Sequence, residues 1–121
     1  MKMTDAPCLS NNLDWLLRLS EYNTLIQKYQ RRPLLVDGHK TIFRFNIVLK
    51  SVVPLEAYVC NDVAVMTAPH KFTLADNKHG DENTHTCSVQ SDKLFSDLPK
   101  SDHIFDKAVD QIRTVLRAYQ V

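Results

Sequence analysis

Two apolar stripes, one near each end of the chain, constrain what it can fold into. Trp15, Leu19, Tyr22, Ile26 and Tyr29 form the first, and Phe105, Val109, Ile112, Leu116 and Tyr119 the second. Both step by four and three residues in turn, which keeps their members on one face of a helix. Between them lie short apolar runs separated by turn residues, the pattern of strands. The architecture expected is helix, antiparallel sheet, helix.

The first helix is expected from a cap at Asn11 or Asn12, whose short side chain accepts from free backbone amides, to about Gln30. Pro33 stops it, because a residue before proline disfavours helical geometry. Leu13, Leu16 and Leu17 widen its apolar face, so its first half should be the more deeply buried. Leu34 to Val36 reads as a strand turning at Asp37-Gly38, a pair suited to a type I′ hairpin that needs positive φ at both positions. The return strand spans Lys40 to Leu49. Its odd members Phe43, Phe45, Ile47 and Leu49 face the core, and Ile42, Arg44, Asn46 and Val48, with Tyr58, the open side.

Ser51 to Pro54 is a connection, and Leu55 to Cys60 and Val63 to Met66 are expected to pair as a second hairpin across Asn61-Asp62. Pro69 should break that run, leaving His70 to Leu74 as a separate short strand. Residues 76–84 are the most polar stretch and read as an exposed loop, His85 to Gln90 as a last strand, and Ser91 to Leu98 as one helical turn. Ser101 caps the final helix, with Asp102, Asp106 and Asp110 early in it and Arg113 and Arg117 late, an order that complements the helix dipole. Helices segregated to one face of an antiparallel sheet of four to five strands define the α+β class.

The 121 residues are enough for one core, here a single domain over residues 11–121 behind a flexible N-terminus, residues 1–10. No apolar run approaches the roughly 20 residues that span a bilayer, and residues 1–10 lack the apolar core of a secretory signal. A cytoplasmic protein is expected. Three cysteines, Cys8, Cys60 and Cys87, have no local spacing pattern and argue against a disulfide framework. Cys8 falls in the frayed start, and Cys60 reads as a small buried hydrophobe.

The net charge of +1 conceals a division. Lys28 to Lys50 holds six basic residues and one acid, whereas Ser51 to Asp110 holds ten acids and five lysines. Such a division can steer a charged partner, or the two groups can face each other within one fold.

Candidate chemistry is sparse. Only two glycines occur, Gly38 and Gly80, so no glycine-rich phosphate loop, dinucleotide fingerprint or nucleophile elbow can be built. A nucleotide-dependent enzyme of a familiar type is not expected. The polar cluster His70, His79, Asp81, Glu82, His85 and Cys87 contains zinc-ligand chemistry, with His85 and Cys87 on one face if they lie on a strand. It lacks paired ligand spacing, and a solvated loop before an ordinary strand is the plainer reading. Cys87 or Cys60 as nucleophile would need a neighbouring cation to lower its pKa. Asp76 with His79, or Glu82 with His85, could pair as acid and base. Tyr29, Arg31, Arg32, Phe43, Arg44 and Phe45 mix aromatics with cations as nucleic-acid-binding sheets do, but the phenylalanines belong to the core alternation.

The leading expectation is therefore a small non-enzymatic binding protein, an adaptor, inhibitor or chaperone, that meets another protein through Arg31, Arg32, Lys40, Arg44 and Lys50. It needs no cofactor. The alternative is a metal- or histidine-dependent enzyme holding zinc with His70, His79, His85 and Cys87. A nucleic-acid-binding module on the basic 28–50 segment ranks third. The tyrosines of the helix stripes would also suit a homodimer.

Overall fold

A computed structural model of the chain describes residues 9–19, 22–75 and 82–120. Cys8, Asp76, His79, Gly80 and Asp81, with most of the expected 76–84 loop, lie outside the described residues. The protein is α+β, with antiparallel sheets. In chain order the elements are α1 (Leu13–Leu19), β1 (Leu35–Val36), β2 (His39–Arg44), β3 (Ile47–Ser51), β4 (Glu56–Val59), β5 (Ala64–Lys71), α2 (Glu82–His85), β6 (Val89–Gln90), a 3-10 turn (Phe95–Asp97) and α3 (Ser101–Ala118). One sheet has the order β1-β2-β5-β6, and β3 with β4 makes a second of two strands. Contacts divide the chain into two compact units, one of Met1–Thr41 with Thr67–Ser88, the other of Ile42–Met66 with Val89–Val121.

In the first unit, the Asp37-Gly38 hairpin forms as expected. Leu35 pairs with Lys40 and Val36 with His39, and the two turn residues take φ 51° and 81°. Only the start of the first apolar stripe is helical. Asn12 caps α1 by accepting the Trp15 amide at 3.0 Å, and the helix stops at Leu19. Asn23 takes a positive φ of 54°, a left-handed geometry that no helix continues through. From Thr24 to Gln30 the backbone has no regular structure, so Ile26 and Tyr29 do not share a helical face with Trp15. Nor is α1 deeply buried: Leu13 and Leu17 are exposed. The interior of this unit holds Thr41, Ala68 and Thr84.

In the second unit, the expected hairpin across Asn61-Asp62 is replaced. β4 pairs back onto β3, with Val48 opposite Tyr58, Leu49 opposite Ala57 and Ser51 opposite Glu56, so the stretch read as a plain connection, Ser51 to Pro54, is the end of β3 and most of the hairpin loop, residues 52–55. The expected strand from Lys40 to Leu49 breaks at Phe45-Asn46. There the Cys60 amide donates to the Asn46 carbonyl at 2.9 Å, and the chain leaves one sheet for the other. Phe43 and Phe45 pack on the core, but Ile47 and Leu49 are exposed.

The core of the second unit is Val63, Val65 and Phe95, with Phe43, Phe45, Leu98, Ile104 and Phe105 against it. The Phe95 ring meets Phe43 edge-on at 5.0 Å and Phe45 at 6.0 Å. Burying a side chain of this size contributes about 1.5–3 kcal/mol, and the edge-on geometry adds to it. α3 carries four members of the second stripe, Phe105, Val109, Ile112 and Leu116, half-buried, whereas the fifth, Tyr119, is its exposed C-cap. Ser101 is not its cap: Lys100 is, at φ 61° with no side-chain hydrogen bond, and the Ser101 hydroxyl donates to the Ser96 carbonyl instead.

β5 passes through Pro69 unbroken. β6 spans only two residues, and Ser91 after it donates to the Val65 carbonyl at 2.8 Å. By Pro69 that neighbour has ended, and a missing donor there is tolerated. Of the expected strand from His85 to Gln90 only Val89 and Gln90 are extended; its start is α2. Among the described residues no helix is long and apolar enough to cross a membrane.

Candidate functional site

The candidate site lies in the first unit and is built from three separate stretches of chain. The tight Asp37-Gly38 turn fixes the register that sets Lys40 opposite Leu35. α2 ends at His85, and Tyr29 comes from the irregular segment ahead of Pro33. The three residues close a ring of contacts. The Lys40 ammonium donates to the His85 carbonyl at 2.8 Å and sits 4.9 Å from the centre of the Tyr29 ring. The Tyr29 hydroxyl lies 2.9 Å from His85 Nδ1, and the two rings meet edge-on at 5.4 Å. Phe72 meets the imidazole edge-on as well, at 5.9 Å.

Lys40 is held at its backbone too, where its carbonyl accepts from the Cys87 thiol at 3.2 Å. Burial pushes the Cys87 pKa above its ordinary value, against the opposing pull of the Lys40 charge and of a backbone hydrogen bond with Ala68. A thiol so placed is a weak nucleophile. Beside it, His39 Nδ1 lies 2.8 Å from the Ala68 carbonyl.

The structure therefore takes Lys40 from one set of sequence-predicted residues, and His85 and Cys87 from the other, and brings them together. Arg31 and Arg32 are exposed in the bend after Gln30, and His70 is exposed on β5, all in this first unit. Arg44 and Lys50 belong to the second unit. There Lys50 pairs with Glu56 at 2.8 Å, and Tyr58 donates to the same carboxylate at 2.6 Å. Lys50 first and Tyr58 second hold the Glu56 pKa below the usual carboxylate value.

His79 of the zinc alternative lies outside the described residues. His85 and Cys87 are not on a strand: one ends α2 and the other follows it. Their polar atoms turn to Tyr29 and to Lys40, and among the described residues no group of three or more His, Cys, Asp or Glu could hold a metal ion. Tyr29 was read from sequence as part of a helical stripe and among the aromatics of the nucleic-acid alternative, and its place beside Lys40 and His85 was missed. The signal available was Asn23, a residue type that tolerates positive φ, between Tyr29 and the true helix.

Chemically, this is a half-buried ammonium with three donors, one directed at a carbonyl, over an aromatic face. Such a cation can meet a carboxylate or phosphate oxygen. No curated protein and no solved structure matches the chain. The family model of the Tubulin-tyrosine ligase family matches residues 8–119, and that match overturns the expectation of a non-enzymatic adaptor, inhibitor or chaperone. It also bounds the argument from glycine count, which excludes glycine-loop nucleotide sites and leaves open a ligase that holds its substrates by other means. The chain belongs to the tubulin-tyrosine ligase family.

Proposed function

We propose that this chain serves in an ATP-driven ligase that joins an amino acid to a protein through an amide bond, tyrosine and tubulin being the pair its family is named for. The observation that carries the reading is the family match over residues 8–119. An amide does not form from a free carboxylate and an amine in water without activation of the carboxylate. A nucleoside triphosphate supplies that activation by converting it to an acyl phosphate. The amine then displaces phosphate, so one amide, one ADP and one phosphate result.

The carboxylate, the nucleotide phosphates and the acyl phosphate on this route are anionic, which fits the excess of base over acid between Lys28 and Lys50. Within that segment Lys40 is the first unit's cation held by a carbonyl and an aromatic face, whereas Lys50 in the second unit is neutralised by Glu56. It is suited to a phosphoryl or carboxylate oxygen, where a fixed positive charge stabilises charge that develops during transfer. With two glycines in the chain, the phosphates would be held by side-chain cations and not by a glycine-rich loop. Arg31 and Arg32 are candidates for steering the anionic substrates toward the first unit. A nucleotide supply and a tubulin substrate put the reaction in the cytoplasm, where the free thiols of Cys60 and Cys87 also belong.

The test is incorporation of labelled tyrosine into tubulin in the presence of ATP, with ADP release measured alongside. Label in the protein with matching ADP is the expected result. No incorporation of any of the common amino acids, and no ADP release above background, overturns the reading.

A further inference from the structure

We infer that Tyr29 is a positioning residue for Lys40, its ring and its hydroxyl together setting where the ammonium points. What Lys40 meets rests on the ligase reading above; what holds Lys40 rests on geometry alone. A lysine side chain on a strand has a long, freely rotating stem, and an unguided ammonium would spread over many positions. Here three contacts converge. The Tyr29 ring lies 4.9 Å below the ammonium, within the range where the negative face of an aromatic ring attracts a cation. The His85 carbonyl accepts from the ammonium at 2.8 Å. The imidazole of that same His85 is tied to the Tyr29 hydroxyl at 2.9 Å.

Tyr29 thus touches Lys40 directly by its ring and indirectly through the residue whose carbonyl Lys40 binds. The segment around Tyr29 has no regular structure, so these side-chain contacts fix it over the Lys40 strand. Phe72, edge-on to the imidazole at 5.9 Å, confines His85 further. Removing the ring would free the ammonium while leaving its charge in the chain. Removing the hydroxyl alone would loosen His85 and leave the cation on its aromatic face.

The experiment uses the full chain with isotope-labelled lysine, and the variants Lys40→Gln, Tyr29→Phe and Tyr29→Leu, each checked for native circular dichroism. Lys40→Gln assigns the Lys40 ε-methylene signal. In the wild type that signal should lie upfield of those of exposed lysines, displaced by the Tyr29 ring current. It should stay displaced in Tyr29→Phe and return to the exposed position in Tyr29→Leu. A wild-type signal at the exposed position overturns the inference without recourse to any variant, and so does an upfield signal that persists in natively folded Tyr29→Leu.

Titration with ATP separates this from the ligase reading. Lys40→Gln should weaken ATP binding about tenfold or more, as loss of a charge-assisted hydrogen bond does. Tyr29→Leu should weaken it by about two- to five-fold, the worth of an exposed cation–π contact. If Lys40→Gln binds ATP as the wild type does, the ligase role of Lys40 fails while the ring-current result still decides what holds the ammonium. If Lys40→Gln loses ATP and natively folded Tyr29→Leu does not, the positioning role is overturned and the ligase reading stands.

Discussion

The two units of this protein are held together by different physics. The second is organised by aromatic and aliphatic packing, with Phe95 as hub for Phe43 and Phe45 and with Val63 and Val65 beside it. The first has small buried residues, Thr41, Ala68 and Thr84, and joins its segments by directional contacts among Tyr29, Lys40, His85 and Cys87. Apolar packing is non-directional and adds up with area. A polar net depends on each partner standing at the right distance and angle. A change in the second unit should therefore appear first as lost stability, and a change in the first as a misplaced functional group.

Phe95→Ala gives the largest expected effect. It removes the hub ring and should lower unfolding free energy by about 3–5 kcal/mol, read by urea denaturation. Gly38→Ala comes next. An added methyl would meet only the Lys71 side chain at ordinary contact distance, so the penalty is the positive φ of 81°, about 1–2 kcal/mol. Because that turn sets the Lys40 register, ATP affinity should fall along with stability. If Gly38→Ala proves more destabilising than Phe95→Ala, or leaves ATP binding intact, the contrast between the units is broken.

A smaller effect sharpens the polar side. Since burial raises the Cys87 pKa, the folded state keeps its proton at pH values where the unfolded chain has lost it. The resulting stability is present below the unfolded pKa, near 9.0, and is lost as pH rises through the higher folded value. Wild type should thus lose more stability than Cys87→Ala between pH 8 and pH 10. Equal slopes would mean that the thiol is not buried as described. The smallest effect is in the second unit's exposed cluster. Lys50→Ala should raise the Glu56 titration toward the ordinary carboxylate value, followed by NMR, with little change in stability, as for other surface pairs.

What could be read from the sequence was what is decided locally. Asp37-Gly38 needs positive φ at two adjacent positions, and only a tight turn supplies that, so the hairpin was legible. The stripe of α3 was legible because periodicity over 18 residues is hard to mistake. The first stripe failed because one backbone geometry, at Asn23, outweighs side-chain spacing. The Asn61-Asp62 hairpin failed because strand pairing is a choice between partners, and β4 pairs with β3. The site followed the same rule. Lys40, His85 and Cys87 were each singled out, but in two unrelated sets, since the contacts that join them span 45 and 47 residues. The family was not legible, and the proposed ligase reaction with it, because the absence of a glycine loop excludes one way of holding a nucleotide and says nothing of the others.

The partial burial of α3 has a consequence for how the second unit comes apart. None of the helix's residues is fully buried. Grooves of about 480 and 440 Å³ flank it, one lined by Leu55, Ala57 and Val59 and the other by Phe43, Phe45 and Ile47. At about 27 Å long, α3 supplies its own backbone hydrogen bonds and is held to the unit by one half-buried face, with Ile104 and Phe105 on the core. It should behave as a detachable rod, lifting and reseating as one piece while Val65 and Met66 stay enclosed. Its amides would exchange with solvent together, ahead of those of β5, marking it as the first cooperative segment of this unit to open.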